Sequence, residues 1–110
     1  MSSTRSEHDM LGEISVPDDV YYGAHTARAL VNFPITRETL ADRPHLVTAL
    51  AAVKEAAARA NAEVGALSPE QAAAIVQACA EIRDGRLHDQ FVVDLIQGGA
   101  GTSTNMNANE

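Results

Sequence analysis

The chain has 110 residues, enough for one domain with a modest core, and its 45% hydrophobic and 21% charged residues argue against disorder throughout. Fifteen acidic against 8 basic residues give a net charge of −7, with no lysine or arginine run to track a phosphate backbone, which argues against nucleic acid as a partner. No apolar stretch nears the roughly 20 residues of a membrane span, Met1–Asp9 lacks the apolar segment of a secretory signal, and the lone Cys79 suits a reducing compartment, so the cytoplasm is expected.

Residues 1–9 are charged and serine-rich without a period and read as a disordered tail. From Met10 to Tyr22, Pro17 and the flanking Gly12 and Gly23 indicate extended structure with turns. His25–Asn32 fits a short helix with Ala24, Leu30 and Val31 as apolar contacts, and Thr36–Ala41 a second helical turn. A long helix then follows, with Asp42 as cap and Pro44 in its first turn. Leu46, Val47, Leu50, Val53, Ala57, Ala60 and Val64 form its expected apolar stripe, and Gly65 ends it. Ser68, Pro69 and Gln71 spell a capping box for the next helix, whose stripe is Ala72, Ile75, Val76, Cys79 and Ile82 and whose end is Gly85. The short connection at Ala66 and Leu67 makes the pair an antiparallel hairpin. Phe91–Ile96, rich in β-branched residues, reads as a short buried extended segment that holds the glycines after it.

The last stretch, Gln97–Glu110, carries the most chemistry. Glycines at 98, 99 and 101 allow a tight loop and close backbone approach. Thr102–Asn105 are four small hydrogen-bonding residues, and N–H groups at a helix start favour a negative ligand. The loop lacks the lysine of a P-loop and the spacing of a dinucleotide fingerprint. Its plainer reading is a glycine turn followed by a helix cap. Against that stand Asn105, Asn107 and Asn109, poor helix formers where a helix should propagate. His8, His25, His45 and His88 show no ligand spacing, so no metal site is expected. Cys79 reads as a packed thiol. Arg28 and Lys54 read as solvated or paired cations, with anion contact as the sharper alternative.

Taken together, Tyr21-Tyr22-Gly23-Ala24-His25-Thr26, Arg28-Ala29, Asn32-Phe33, Lys54, Asp89-Gln90-Phe91 and above all Gln97–Glu110 resemble the N-terminal region of aspartate ammonia-lyases, within the aspartase and class II fumarase superfamily. Fumarases typically carry serine at the place of Ala100, and glutamine at the places of Ser103 and His25, so these three residues favour aspartase. Val92 and Val31 depart from the aspartase pattern, where proline and glutamate are usual. The resemblance implies an α+β, mostly helical fold: an N-terminal domain over 10–110 with an antiparallel helical hairpin, truncated where a central helical bundle begins. It implies reversible elimination of ammonia from L-aspartate to give fumarate, without metal or organic cofactor, in a homotetramer. Thr102 and Ser103 would bind a substrate carboxylate. No catalytic residue is assigned here, because the family's base lies on a later Gly-Ser-Ser loop, so the chain alone is expected to be inactive. The alternatives are a fumarase fragment, acting on malate, and a non-catalytic helical module binding an anion or a partner.

Overall fold

The computed structural model describes residues 3–96 and 100–110. Gln97, Gly98 and Gly99, the first half of the glycine loop, lie outside the described residues, as do Met1 and Ser2. The chain begins with an antiparallel pair, β1 over Thr4–Asp9 and β2 over Gly12–Pro17, with Thr4 opposite Pro17 and Asp9 opposite Gly12. Over Thr4–Asp9 this corrects the disordered tail expected at 1–9. The period-2 pattern is present in β1, since Arg5, Glu7 and Asp9 are half-buried while Thr4, Ser6 and His8 are exposed, but it is written in polar residues. The Arg5 guanidinium donates to the carbonyls of Pro17, Val20 and Tyr22 at 2.8, 2.9 and 2.6 Å, and to Glu7 at 2.7 Å. Hydrogen bonding of one cation thus replaces an apolar face, and hydropathy carries no trace of it. Gly12 turns the hairpin at φ +115°, a conformation that favours glycine.

Helix α1, Ala24–Asn32, buries Ala24, Thr26, Ala27 and Ala29, whereas Val31, an expected apolar contact, is 74% exposed. A 3₁₀ turn at Leu40–Asp42 follows, overlapping the end of the expected turn at Thr36–Ala41. Asp42 caps this turn rather than the long helix, its carboxylate accepting the Thr39 N–H at 2.9 Å. Helix α2, Pro44–Glu63, has Arg43 at its N-cap without a side-chain bond, and Pro44 opens it as expected.

Helix α3, Pro69–Arg83, carries the capping box read from sequence. Ser68 Oγ accepts from the Gln71 N–H at 3.2 Å, and the Gln71 side chain accepts from the Ser68 N–H at 3.4 Å. Gly65 at φ +77° and the short link turn α3 back antiparallel to α2. The buried faces are narrower than the sequence stripes. In α2 Val47, Ala51 and Ala58 are buried, while Val53 and Val64 lie outside. In α3 Ala72 and Cys79 are buried. Alanines surround both helices, so small side chains are available on every side and periodicity alone does not select the contacting one.

The core gathers Ala29, Leu40, Val47, Phe91 and Val93, with Leu50, Ile82, Leu95 and Ala108 against it. Over Phe91–Ile96, expected as a buried extended segment, the chain is neither helix nor regular strand: Asp94 alone bridges, antiparallel to Thr39, with bends at Val93 and Leu95. The Leu40 N–H donates to the Val93 carbonyl at 3.2 Å, the Ala41 N–H to Phe91 at 3.0 Å and the Leu95 N–H to Glu38 at 3.0 Å. Each fully buried side chain of this size contributes about 1.5–3 kcal/mol, so Phe91 and Val93 anchor the strip from which the terminal loop departs. The last helix, α4, covers Thr102–Asn109.

Candidate functional site

Gly101 sets the start of α4 in the left-handed region, φ 68° and ψ 29°, and its carbonyl accepts the Asn105 N–H at 3.1 Å. Thr102 and Ser103 therefore occupy the first turn, where N–H groups have no acceptor within the helix and the helix dipole is positive. Thr102 is exposed and Ser103 half-buried. The two predicted binding residues thus sit together on an outward-facing turn. The donors they offer suit a carboxylate.

Two of the asparagines that weaken this helix by propensity, Asn105 and Asn107, hold it in place by hydrogen bonds, whereas Asn109 donates within the helix to Met106 Sδ at 3.8 Å. Asn105 Oδ1 accepts from the Lys54 ammonium on α2. Asn107 is 4% exposed; its Oδ1 accepts the Val92 and Val93 N–H groups at 2.9 and 3.3 Å, and its Nδ2 donates to the Gln90 carbonyl at 3.0 Å. Glu110, just past the helix, accepts four bonds at the start of α1: from the N–H groups of Gly23, His25 and Thr26 at 3.1, 3.1 and 2.8 Å, and from the Thr26 hydroxyl at 2.7 Å. Burial by itself would raise the Glu110 carboxyl pKa; these bonds outweigh it and hold the group below its ordinary value. Glu110 is the cap that α1 lacks in its own sequence, supplied from 84 residues away.

A cleft of about 490 Å³ separates the β1–β2 turn from α1, and His25, Arg28 and Ser103 all line it. Arg28 is not free to take an anion there. Its guanidinium donates to both carboxylate oxygens of Asp9 at 2.7 and 3.0 Å and to the Gly12 carbonyl at 3.0 Å. That hydrogen-bonded pairing lowers the Asp9 pKa and raises that of Arg28. Lys54 is likewise engaged, with Asn105.

Asp94 is a feature whose role sequence reading missed. Its carboxylate accepts the N–H groups of Ile35, Thr36, Arg37 and Ile96 and the Thr36 hydroxyl, over 2.7–3.1 Å. Burial would raise its pKa, but these donors overcome that and lower it to about 2. The cage holds the turn that places Arg37 at φ 66°. An acidic residue inside a run of apolar ones was the available signal. Cys79 is buried, and burial, followed by the nearby Glu55, pushes its thiol pKa up, consistent with a packed side chain. Among the described residues, no group of three or more His, Cys, Asp or Glu could hold a metal ion.

A helical hairpin, a strip held by the Asp94 cage and a short helix opening on Thr102 form the frame of this site. Residues 12–110 match the family model described as Lyase, and the chain belongs to that family. Aspartate ammonia-lyase of Pseudomonas aeruginosa is 56% identical over 110 residues, which cover 100% of this chain and 23% of that protein. The aspartate ammonia-lyase of Escherichia coli is 48% identical over 110 residues, covering 99% and 23%. Among solved structures, a fumarate lyase:delta crystallin from Brucella melitensis in native form superposes with a TM-score of 0.94 at 54% identity, over 97% of this chain and 25% of that one. Class II fumarase from Schistosoma mansoni gives 0.91 at 42% identity, over 98% and 22%. The chain thus spans about a quarter of the length of the relatives it matches.

Proposed function

We propose that these residues form the N-terminal part of an aspartate ammonia-lyase, which reversibly eliminates ammonia from L-aspartate to give fumarate, and that Thr102 and Ser103 supply one wall of its dicarboxylate site. Identity of 48–56% to enzymes of that name, running through α4, is the observation that carries the reading. Elimination begins when the Cβ–H bond breaks and its electron pair moves onto the adjacent carboxylate, which gains a second negative charge as an aci-carboxylate. That pair then forms the carbon–carbon double bond as the C–N bond breaks and ammonia leaves. Hydroxyl and N–H donors already aimed at the carboxylate favour the more highly charged species, and so lower the barrier more than they tighten substrate binding. Such donors carry no full charge to retain the dianionic product. The base that takes the proton belongs, on this reading, to a later Gly-Ser-Ser loop, so residues 1–110 alone have no lyase activity.

The same reading makes the protein a cytoplasmic homotetramer acting on a small molecule, without metal or organic cofactor. The net charge of −7 argues against nucleic acid as a partner, and no helix among the described residues is long and apolar enough to cross a membrane. The likeness to a class II fumarase supports a second reading, in which malate replaces aspartate. Following fumarate formation from L-aspartate and L-malate separately, in protein expressed from the complete reading frame, decides between them: turnover of malate alone would reverse the choice. In that protein Thr102→Ala should lower kcat/KM by about 2–4 kcal/mol of transition-state stabilisation, the range for loss of an oxyanion donor. Unchanged kcat/KM would remove Thr102 from the site.

A further inference from the structure

We propose that Glu110 is a positioning residue for the first turn of α4, acting from about two turns further along through the start of α1; this rests on the carboxylate-site reading above. Within Thr102–Asn109 the buried residue is the polar Asn107 and the apolar contribution to the core is Ala108 at its edge. Apolar packing of these two turns is therefore small. Hydrogen bonds, being directional, fix rotation and sliding of the helix.

Among the described residues, side chains bond it to three different elements: Asn105 to α2, Asn107 to residues 90–93, and Glu110 to α1. Glu110 makes the most bonds of the three and carries the charge. Its partner is a helix start with no side-chain cap and no acidic residue in the first turn, where the dipole attracts a carboxylate. The bond therefore sets the separation between α1, which presents His25 and Arg28 to the cleft, and α4, which presents Ser103 to it.

Gly23 is the other half of the device. A Cβ at this position would lie 2.8 Å from Glu110 Oε2, and with φ −117° the backbone itself does not call for glycine. What a side chain here would displace is the Glu110 carboxylate, the end of a side chain held by four hydrogen bonds. Gly23→Ala and Glu110→Gln therefore attack one contact from opposite sides. The first pushes the carboxylate away; the second puts an NH₂ donor against an N–H donor. A misplacement of about 1 Å in a substrate-positioning group can cost on the order of a hundredfold in rate.

The test uses protein expressed from the complete reading frame. Each substitution should lower kcat/KM for L-aspartate about tenfold or more, chiefly through kcat. In a Thr102→Ala background the same substitutions should cost less than about threefold, because residues acting through one contact are not additive. An equal factor in both backgrounds overturns the proposal, since a general structural defect multiplies with the loss of Thr102. Amide hydrogen exchange reads the same contact without substrate. Both variants should speed exchange at Thr26 and also at Asn105, whose N–H closes the first turn of α4. Unchanged exchange at Asn105 overturns the proposal whatever the activity. Absence of aspartate turnover in the unsubstituted protein instead sinks the functional reading and leaves the exchange result to judge the positioning role. Should Glu110→Gln fail to fold, Gly23→Ala, which adds one methyl group, carries both measurements.

Discussion

The α2–α3 hairpin and helix α4 are both helical, yet they are held by different forces. The hairpin is fixed by alanine-lined contact, a proline at each first turn and the Ser68–Gln71 box, all local or nearly so. Helix α4 is fixed by Asn105, Asn107 and Glu110, which reach Lys54, the strip at 90–93 and the start of α1. Apolar packing gives stability and tolerates small shifts. Directional polar bonds add less net free energy each, about 0.5–1.5 kcal/mol, but they specify position. The element that presents the candidate site is the one held by bonds that specify position.

Substitutions should separate the two modes. Phe91→Ala, in the core both regions share, should cost about 3–5 kcal/mol by transfer and cavity terms. A shift in urea midpoint at constant slope measures it. Next comes Asn107→Ala, which strips the buried N–H of Val93, the part-buried N–H of Val92 and the Gln90 carbonyl of their partner, for about 2–3 kcal/mol. A loss below that of Ser68→Ala, expected at about 1 kcal/mol, would erase the distinction drawn between α4 and the hairpin. At the small end, Val53→Thr on α2 should change stability by no more than about 0.5 kcal/mol, because Val53 is 63% exposed despite its place in the sequence stripe. A large loss there would restore that stripe as the packed face.

Acid should act on the polar cages. Asp94 has its folded-state pKa lowered from 3.8 to about 2. Its contribution is therefore fully present above its unfolded value and is lost as pH falls from about 4 through about 2. Glu110 and Asp9 shift in the same direction. Unfolding free energy measured against pH should fall through that window. Asp94→Asn should be less stable near neutrality and show a shallower acid limb; an unchanged limb would remove Asp94 as its source.

How much was legible follows from range. The Ser68–Gln71 box and the glycine at 65 are local statements, and the structure agrees with them, while of the strip at 91–96 it keeps the non-helical course but only one bridge, at Asp94. Strand β1 was not legible, because its alternation is polar and Arg5 is satisfied by carbonyls 12 to 17 positions away. Asp42 was assigned to the wrong helical start, since a cap is possible for either of two neighbouring turns and local preference does not choose between them.

For Gln97–Glu110, the sequence by itself determined the chemistry on offer: glycine freedom, small donors at Thr102 and Ser103, and asparagines too unfavourable to helix to be there for propensity. Only tertiary structure decided what those asparagines and Glu110 are for. The partners of Asn105, Asn107 and Glu110 lie 14 to 87 residues away, and a hydrogen bond depends on distance and direction in space, which residue spacing along the chain does not encode.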